Sequence, residues 1–109
     1  MSEPQSWYHT IELPGGVVTP GEYDLRSVVD KVGLPARLDG TRCLDVGTHD
    51  GFWAFEMERR GAREVVALDV ADPAELDWPE PRPELTDDVL SFLLARKRAF
   101  GFAAQALGS

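Results

Sequence analysis

The sequence predicts an α/β fold built on one strand–helix–strand unit, and three stretches carry that prediction. "RCLDVG" (residues 42–47) is a short apolar run of the kind that forms a strand. "FWAFEMERRG" (52–61) reads as a helix, with Arg59 and Arg60 in its last turn, where cations favour the helix dipole, and Gly61 where a left-handed cap belongs. "EVVALDV" (64–70) is β-branched and almost continuously apolar, a pattern expected of a strand buried on both faces of a parallel sheet. Strand, helix and strand within about 30 residues make a βαβ crossover.

The flanking segments follow from turn and charge signals. Residues 1–40 are read as an N-terminal extension able to act as a lid. "LPGGVVTPGEYD" (13–24) holds three Gly and two Pro, which excludes a long helix. "DLRSVVDKVG" (24–33) is expected to form a short helix capped by Asp24 and stopped near Gly33, with Pro35 beyond. Residues 71–88 carry seven acidic residues against one Arg, plus four Pro, and read as an exposed acidic loop with "PEPRP" locally extended. Residues 89–109 read as a helix capped by Thr86 or Asp87 and ended by Gly108, with Gly101 marking a kink or a close contact. The block Arg96, Lys97 and Arg98 is expected to be a solvated face.

Composition narrows the function classes. The 109 residues suffice for one domain with a modest core, and 43% hydrophobic residues argue for a folded chain. A net charge of −8 opposes non-specific attraction to nucleic acid or anionic membrane. The one cysteine, Cys43, excludes an internal disulfide, is expected to be a packing residue, and fits a reducing, cytoplasmic setting. The N-terminus lacks the pattern of a signal peptide. No apolar stretch approaches the ~20 residues needed to span a bilayer. No metal-ligating cluster stands out.

The chemistry is concentrated in "LDVGTHDG" (44–51). In a βαβ unit the turn after the first strand is expected to aim backbone N–H groups at a ligand, aided by the positive end of the following helix. Gly47 directly follows the strand and can take a positive φ, and Gly51 opens the helix and permits close approach. Asp45 sits at the strand end, suited to accept hydrogen bonds from loop amides or a ligand amine. Asp69 ends the second strand, 22 residues after Gly47. An acid about 20 residues beyond such a loop accepts the ribose hydroxyls in nucleoside and dinucleotide binders. A βα turn without a ligand is the alternative, but it leaves the Asp at the end of the second strand a coincidence. The dinucleotide pattern G-x-G-x-x-G fails because Thr48 and His49 follow Gly47, which disfavours a nicotinamide oxidoreductase.

The pattern D-x-G-x-G-x-G fits at Asp45, Gly47 and Gly51, with His49 in the place of the middle glycine. On that match "LDVGTHDGFWAFEMERRGAREVVALDV" resembles the first βαβ unit of the class I S-adenosylmethionine-dependent methyltransferases, a partial Rossmann-like, doubly wound fold. "WYHTIELPGGVVTPGEYD" and "GLPARLDGTRCLDVG" are similar to the segment ahead of the core in a subgroup that includes the wobble-uridine tRNA carboxymethyl-type transferases. The resemblance covers residues 7–109 or so and implies roles. Asp45 faces the methionine end of S-adenosyl-L-methionine. Gly47, Thr48, His49 and Gly51 form the loop beneath it. Asp69 holds the ribose hydroxyls, and Val70 flanks the adenine. Core packing is the default for Phe52 and Trp53, with one of them a candidate wall of the pocket. Tyr8, His9 and Tyr23 belong to the segment able to cover it.

The resemblance also implies that residues 41–109 are the first half of the cofactor domain. The third and fourth strands and the acceptor-binding elements have no counterpart here. No catalytic residue is assigned, the methyl acceptor (a small molecule or RNA) is unspecified, and the isolated chain is expected to be inactive. The bare edge of a central strand predicts self-association or completion by a missing C-terminal half. A non-catalytic cofactor-binding or assembly module is the rival reading.

Overall fold

The computed structural model describes residues 6–70, 72, 75, 77, 79–81 and 84–109. Strand β1 (Glu12–Leu13) pairs antiparallel with β2 (Val17–Val18), with Glu12 opposite Val18 and Leu13 opposite Val17. The turn between them, Pro14–Gly16, places Gly15 and Gly16 at φ 82° and 77°. Two successive left-handed residues are what the Gly pair makes affordable. Strand β3 (Arg42–Val46) pairs in parallel with β4 (Glu64–Leu68), in register from Arg42↔Glu64 to Val46↔Leu68. Between them runs α1 (Phe52–Arg59), so the predicted βαβ unit is present. Among the described residues the fold is mixed α/β, with two small sheets and two α-helices.

Helix α2 (Asp87–Leu107) begins two residues before the segment expected to be helical. Thr86 is its cap, accepting a hydrogen bond from the Val89 amide, and Asp87 and Asp88 lie at the positive end of the dipole. The helix runs unbroken through Gly101 and ends at Gly108, left-handed at φ 72°. The acidic loop, including "PEPRP", lies partly outside the described residues.

Two expectations are corrected. The first is the helix over 24–33, which is replaced by a string of tight turns held by Val28 N–H to Leu25 O and Lys31 N–H to Val28 O bonds. Asp24 folds its carboxylate back onto the Arg26 amide and guanidinium. The Arg60 guanidinium takes the Val29 carbonyl, an acceptor that a helix over 24–33 would use, and the Leu34 and Pro35 carbonyls just beyond it. The second correction concerns the sheet, which is not covered on both faces. Leu44, Val46, Val66 and Leu68 are 61, 72, 43 and 52% exposed, and the register pairs them into one apolar patch. The strands are apolar as predicted, but among the described residues nothing packs on that face.

The hydrophobic core lies elsewhere, at the junction of the N-terminal extension with α1 and α2. Trp7, Ile11, Leu13, Val29, Phe52, Ala99 and Ala103 form it, with Leu25, Trp53, Phe55 and Phe102 packed around. Ala99 and Ala103, one turn apart and fully buried, let α2 approach closely. Glu56 of α1 is buried, and its charge is met by Arg59 and Arg60. The Arg60 side chain is only 8% exposed and also pairs with Asp30. It therefore fastens the extension to the βαβ unit.

Candidate nucleoside-binding site

The site is assembled where β3 and β4 end side by side. Gly47 follows β3 at φ 77°, and the next bend is made by His49 at φ 54°. His is among the few non-glycine residues that tolerate the left-handed region. His49 therefore supplies the conformation that the middle glycine of the pattern would supply. Gly51 closes the loop at φ 91° as the cap of α1. A Cβ there would fall 2.5 Å from Phe55 Cε2 and 2.8 Å from Phe100 Cδ2, so packing and backbone both demand glycine.

The loop amides do not all point outward. The Gly47 and Thr48 amides both donate to the Leu68 carbonyl, at 2.7 and 3.1 Å. The His49 amide donates to Asp69 Oδ2 at 2.8 Å. Three donors expected to face a ligand are thus spent joining the loop to the end of β4. Asp69 Oδ1 accepts from the Val70 amide at 2.8 Å, and the Lys97 ammonium stands 3.8 Å away while donating to the Val70 carbonyl. Each Asp69 oxygen keeps a further lone pair for another donor.

Acceptors remain. Asp45 Oδ2 and Thr48 Oγ1 are buried and have no hydrogen-bond partner among the described residues. A buried carboxylate oxygen without a donor is costly, and a bound ammonium or hydroxyl group relieves it. The donor-poor, acceptor-rich loop fits a ligand bearing an amine and hydroxyls. It does not fit a naked phosphate, which needs the amides that are already engaged.

The extension reaches this loop through one residue that the motif does not single out. Asp50 is completely buried. Its Oδ2 accepts from the Tyr8 amide at 2.9 Å and the His9 amide at 2.7 Å. Its Oδ1 lies 2.5 Å from His9 Nδ1. With the carboxylate as acceptor, the His9 proton sits on Nδ1. Tyr8 then stacks on His49, with centroids 4.2 Å apart and planes 6° from parallel, and touches Tyr23 at 5.0 Å. His9 stacks on Phe52 at 5.2 Å. Burial pushes the His49 imidazole below the usual histidine range, against the opposing pull of Asp69 and Asp50.

Arg96 of α2 completes the arrangement. Its guanidinium lies 5.3 Å above the Tyr8 ring and 4.5 Å from that of Phe92, with Ser6 Oγ and Glu22 as polar partners. The solvated face expected of residues 96–98 therefore holds for Arg98, which is exposed, while Arg96 and Lys97 are turned onto the extension and the end of β4.

The structure brings Tyr8, His9, Thr48, His49, Asp69 and Val70 together around the loop, with Tyr23 behind Tyr8. Phe52 is buried and Trp53 half-buried against the core, where the two rings meet edge to face at 5.2 Å. Cys43 is half-buried on β3. A separate cavity of about 720 Å³ lies between β1, α1 and the end of α2. It shares Phe52 with the predicted set and no residue of the loop. Among the described residues no group of three or more His, Cys, Asp or Glu is placed to hold a metal, and no helix is long and apolar enough to cross a membrane.

No family model matches the chain, and no solved structure matches it. A curated protein from Cellvibrio japonicus (strain Ueda107), the biotin biosynthesis bifunctional protein BioHC, is 55% identical over 55 residues. The match covers 41% of this chain and 11% of that protein, so the chain spans about a tenth of the length of this relative.

Proposed function

We propose that the chain is the cofactor-binding first half of an S-adenosyl-L-methionine-dependent methyltransferase with a Rossmann-like, doubly wound fold. The observation that carries this reading is the pair of carboxylates at the ends of adjacent parallel strands. Asp69 is locked by the His49 amide with lone pairs to spare, and Asp45 holds a buried oxygen without a donor among the described residues. Asp69 accepts the ribose 2′- and 3′-hydroxyls. Asp45, with Thr48, accepts the amino group of the methionine end, and Val70 flanks the adenine. Gly47 and Gly51 keep the loop clear of side chains, and Tyr8 on His49 covers one side of it. The cofactor, when bound, supplies an electrophilic methyl group on a sulfonium.

The chain's own residues bind and orient, and the residues that place the acceptor lie outside this set. The acceptor is proposed to be a small molecule. The net charge of −8 repels RNA, and the partial relative is named for biotin biosynthesis. A cytoplasmic location is proposed with it.

The runner-up, a non-catalytic nucleoside-binding or assembly module, is favoured by one feature, the uncovered face of Leu44, Val46, Val66 and Leu68, an apolar patch that suits packing against a second copy. Calorimetry with S-adenosylhomocysteine and with NAD tests the reading. Binding of the former alone, lost in Asp69→Ala, is expected. Equal or preferred binding of NAD, or no binding of either, overturns it.

A further inference from the structure

Asp50 is a fully buried carboxylate that no ligand-binding role accounts for, and its partners lie 41 and 42 residues away in sequence. It does not cap α1, whose cap residue is Gly51 with no side-chain hydrogen bond. Among the described residues its hydrogen bonds all go to the extension, where it receives two successive backbone amides and an imidazole N–H. That geometry fixes both the position of residues 8 and 9 and the direction of their side chains. Tyr8 is left with its ring flat on His49 and Arg96 above it. His49 is the one non-glycine left-handed residue among those described, and its amide orients the Asp69 carboxylate. A contact therefore runs from Asp50 through His9 and Tyr8 to His49 and on to Asp69.

We infer that Asp50 and His9 are positioning residues that clamp the extension onto the loop, and that Tyr8, pressed on His49 by this clamp, holds the Asp69 carboxylate ready for a ligand's hydroxyls. The clamp makes the nucleoside site dependent on a segment outside the βαβ motif. The last step, toward ligand hydroxyls, rests on the reading of Asp69 proposed above. The clamp itself does not.

The experiment has two arms on the full chain. In the first, amide exchange of His49 is followed by NMR without ligand. Tyr8→Ala is expected to speed it at least tenfold, and Tyr8→Phe, which keeps the stack, to stay within twofold of the parent. His9→Ala is expected to resemble Tyr8→Ala, with His9→Asn, which restores an N–H near Nδ1, recovering most of the protection. In the second arm, S-adenosylhomocysteine affinity is measured for the same variants and is expected to fall about tenfold in Tyr8→Ala and to recover in Tyr8→Phe.

His49 exchange that is unchanged in Tyr8→Ala and His9→Ala, with both variants folded by circular dichroism, overturns the clamp. Weakened affinity that Tyr8→Phe fails to rescue overturns the stacking step. If the parent binds no S-adenosylhomocysteine, the nucleoside reading fails while the first arm still decides the clamp. Tyr8 is only half-buried, so its variants test the idea even where Asp50→Asn does not fold.

Discussion

Asp50→Ala is the most direct perturbation of the candidate site, and its cost can be worked from the geometry. The substitution deletes the acceptor of three hydrogen bonds, at 2.9, 2.7 and 2.5 Å. The Tyr8 amide is partly buried and can recruit water, so its loss is the cheapest. The His9 amide and Nδ1–H are buried and stay so, and an unsatisfied buried donor costs about 1–3 kcal/mol. Two such donors, plus the small void, give roughly 3–6 kcal/mol. Domains of this size have about 5–15 kcal/mol in total. The variant is therefore expected to be severely destabilised, with a urea midpoint lower by on the order of 2 M if m is about 2 kcal/mol/M. Asp50→Asn keeps one acceptor oxygen but turns an NH₂ toward the donors, so it is expected to fall between parent and Ala. Equilibrium unfolding followed by tryptophan fluorescence is a suitable assay, because Trp7 is buried beside the clamp. A loss in Asp50→Ala below about 1 kcal/mol, the net worth of one ordinary hydrogen bond, would refute the reasoning.

Three further outcomes are expected. Gly21→Ala places a Cβ 2.0–2.3 Å from the His9 carbonyl group and the Thr10 amide nitrogen. It must part the 8–10 and 21–23 strips and break the bonds from Thr10 N–H to Tyr23 O and from Tyr23 N–H to Tyr8 O, lowering stability by at least about 3 kcal/mol in the same assay. His49 favours its neutral form in the folded chain, so the folded state binds fewer protons than the unfolded state. This contribution is present above the unfolded value of 6.5 and is lost as the pH falls from there through the lower folded value. Unfolding midpoints at pH 7.5 and 5.5 are expected to drop more for the parent than for His49→Asn, which keeps a residue tolerant of positive φ; parallel drops would contradict it. The parent is expected to self-associate at tens of micromolar by light scattering, and Leu44→Lys with Val46→Lys, which puts two cations on the uncovered face, is expected to reduce that association without lowering the urea midpoint. A lowered midpoint would mean that the face is packed in the monomer.

The βαβ unit was legible because its signals are local. Residues 42–47, 52–61 and 64–70 each carry their own periodicity, and the observed elements fall inside those bounds. Turn glycines were equally plain, since positive φ at Gly33, Gly47, Gly61 and Gly108 needs no partner. The helix over 24–33 failed for the opposite reason: its Val29 carbonyl and its Asp30 carboxylate are taken by Arg60, 31 and 30 residues away, which no local window contains. Burial of the sheet was misjudged because an apolar strand records only that something should cover it, not whether these residues do. In the candidate site, the motif and its spacing single out Asp45 and Asp69. Asp50 was missed, because its partners are 41 and 42 residues distant. The pairing of "WYH" at residues 7–9 with "HDG" at 49–51 was on the page as two aromatic and polar triplets, but nothing in either triplet names the other.

The placement of the core gives the extension a larger part than that of a cover. A flap over a finished site needs few apolar contacts with the body beneath it. Here Trp7, Ile11 and Leu13 supply nearly half of the buried cluster, and the remainder comes from the turn segment and from α1 and α2 rather than from the sheet. The loop is held accordingly from two directions. The ends of β3 and β4 draw in the Gly47, Thr48 and His49 amides, and the extension draws in Asp50. Opening the extension would strip apolar surface from α1 and α2 and expose a buried carboxylate in the same event. The loop and the core are therefore expected to come apart together, with ordering of the loop coupled to folding of residues 7–23. The uncovered sheet face takes no part in that coupling. A second copy can pack on it without disturbing the loop.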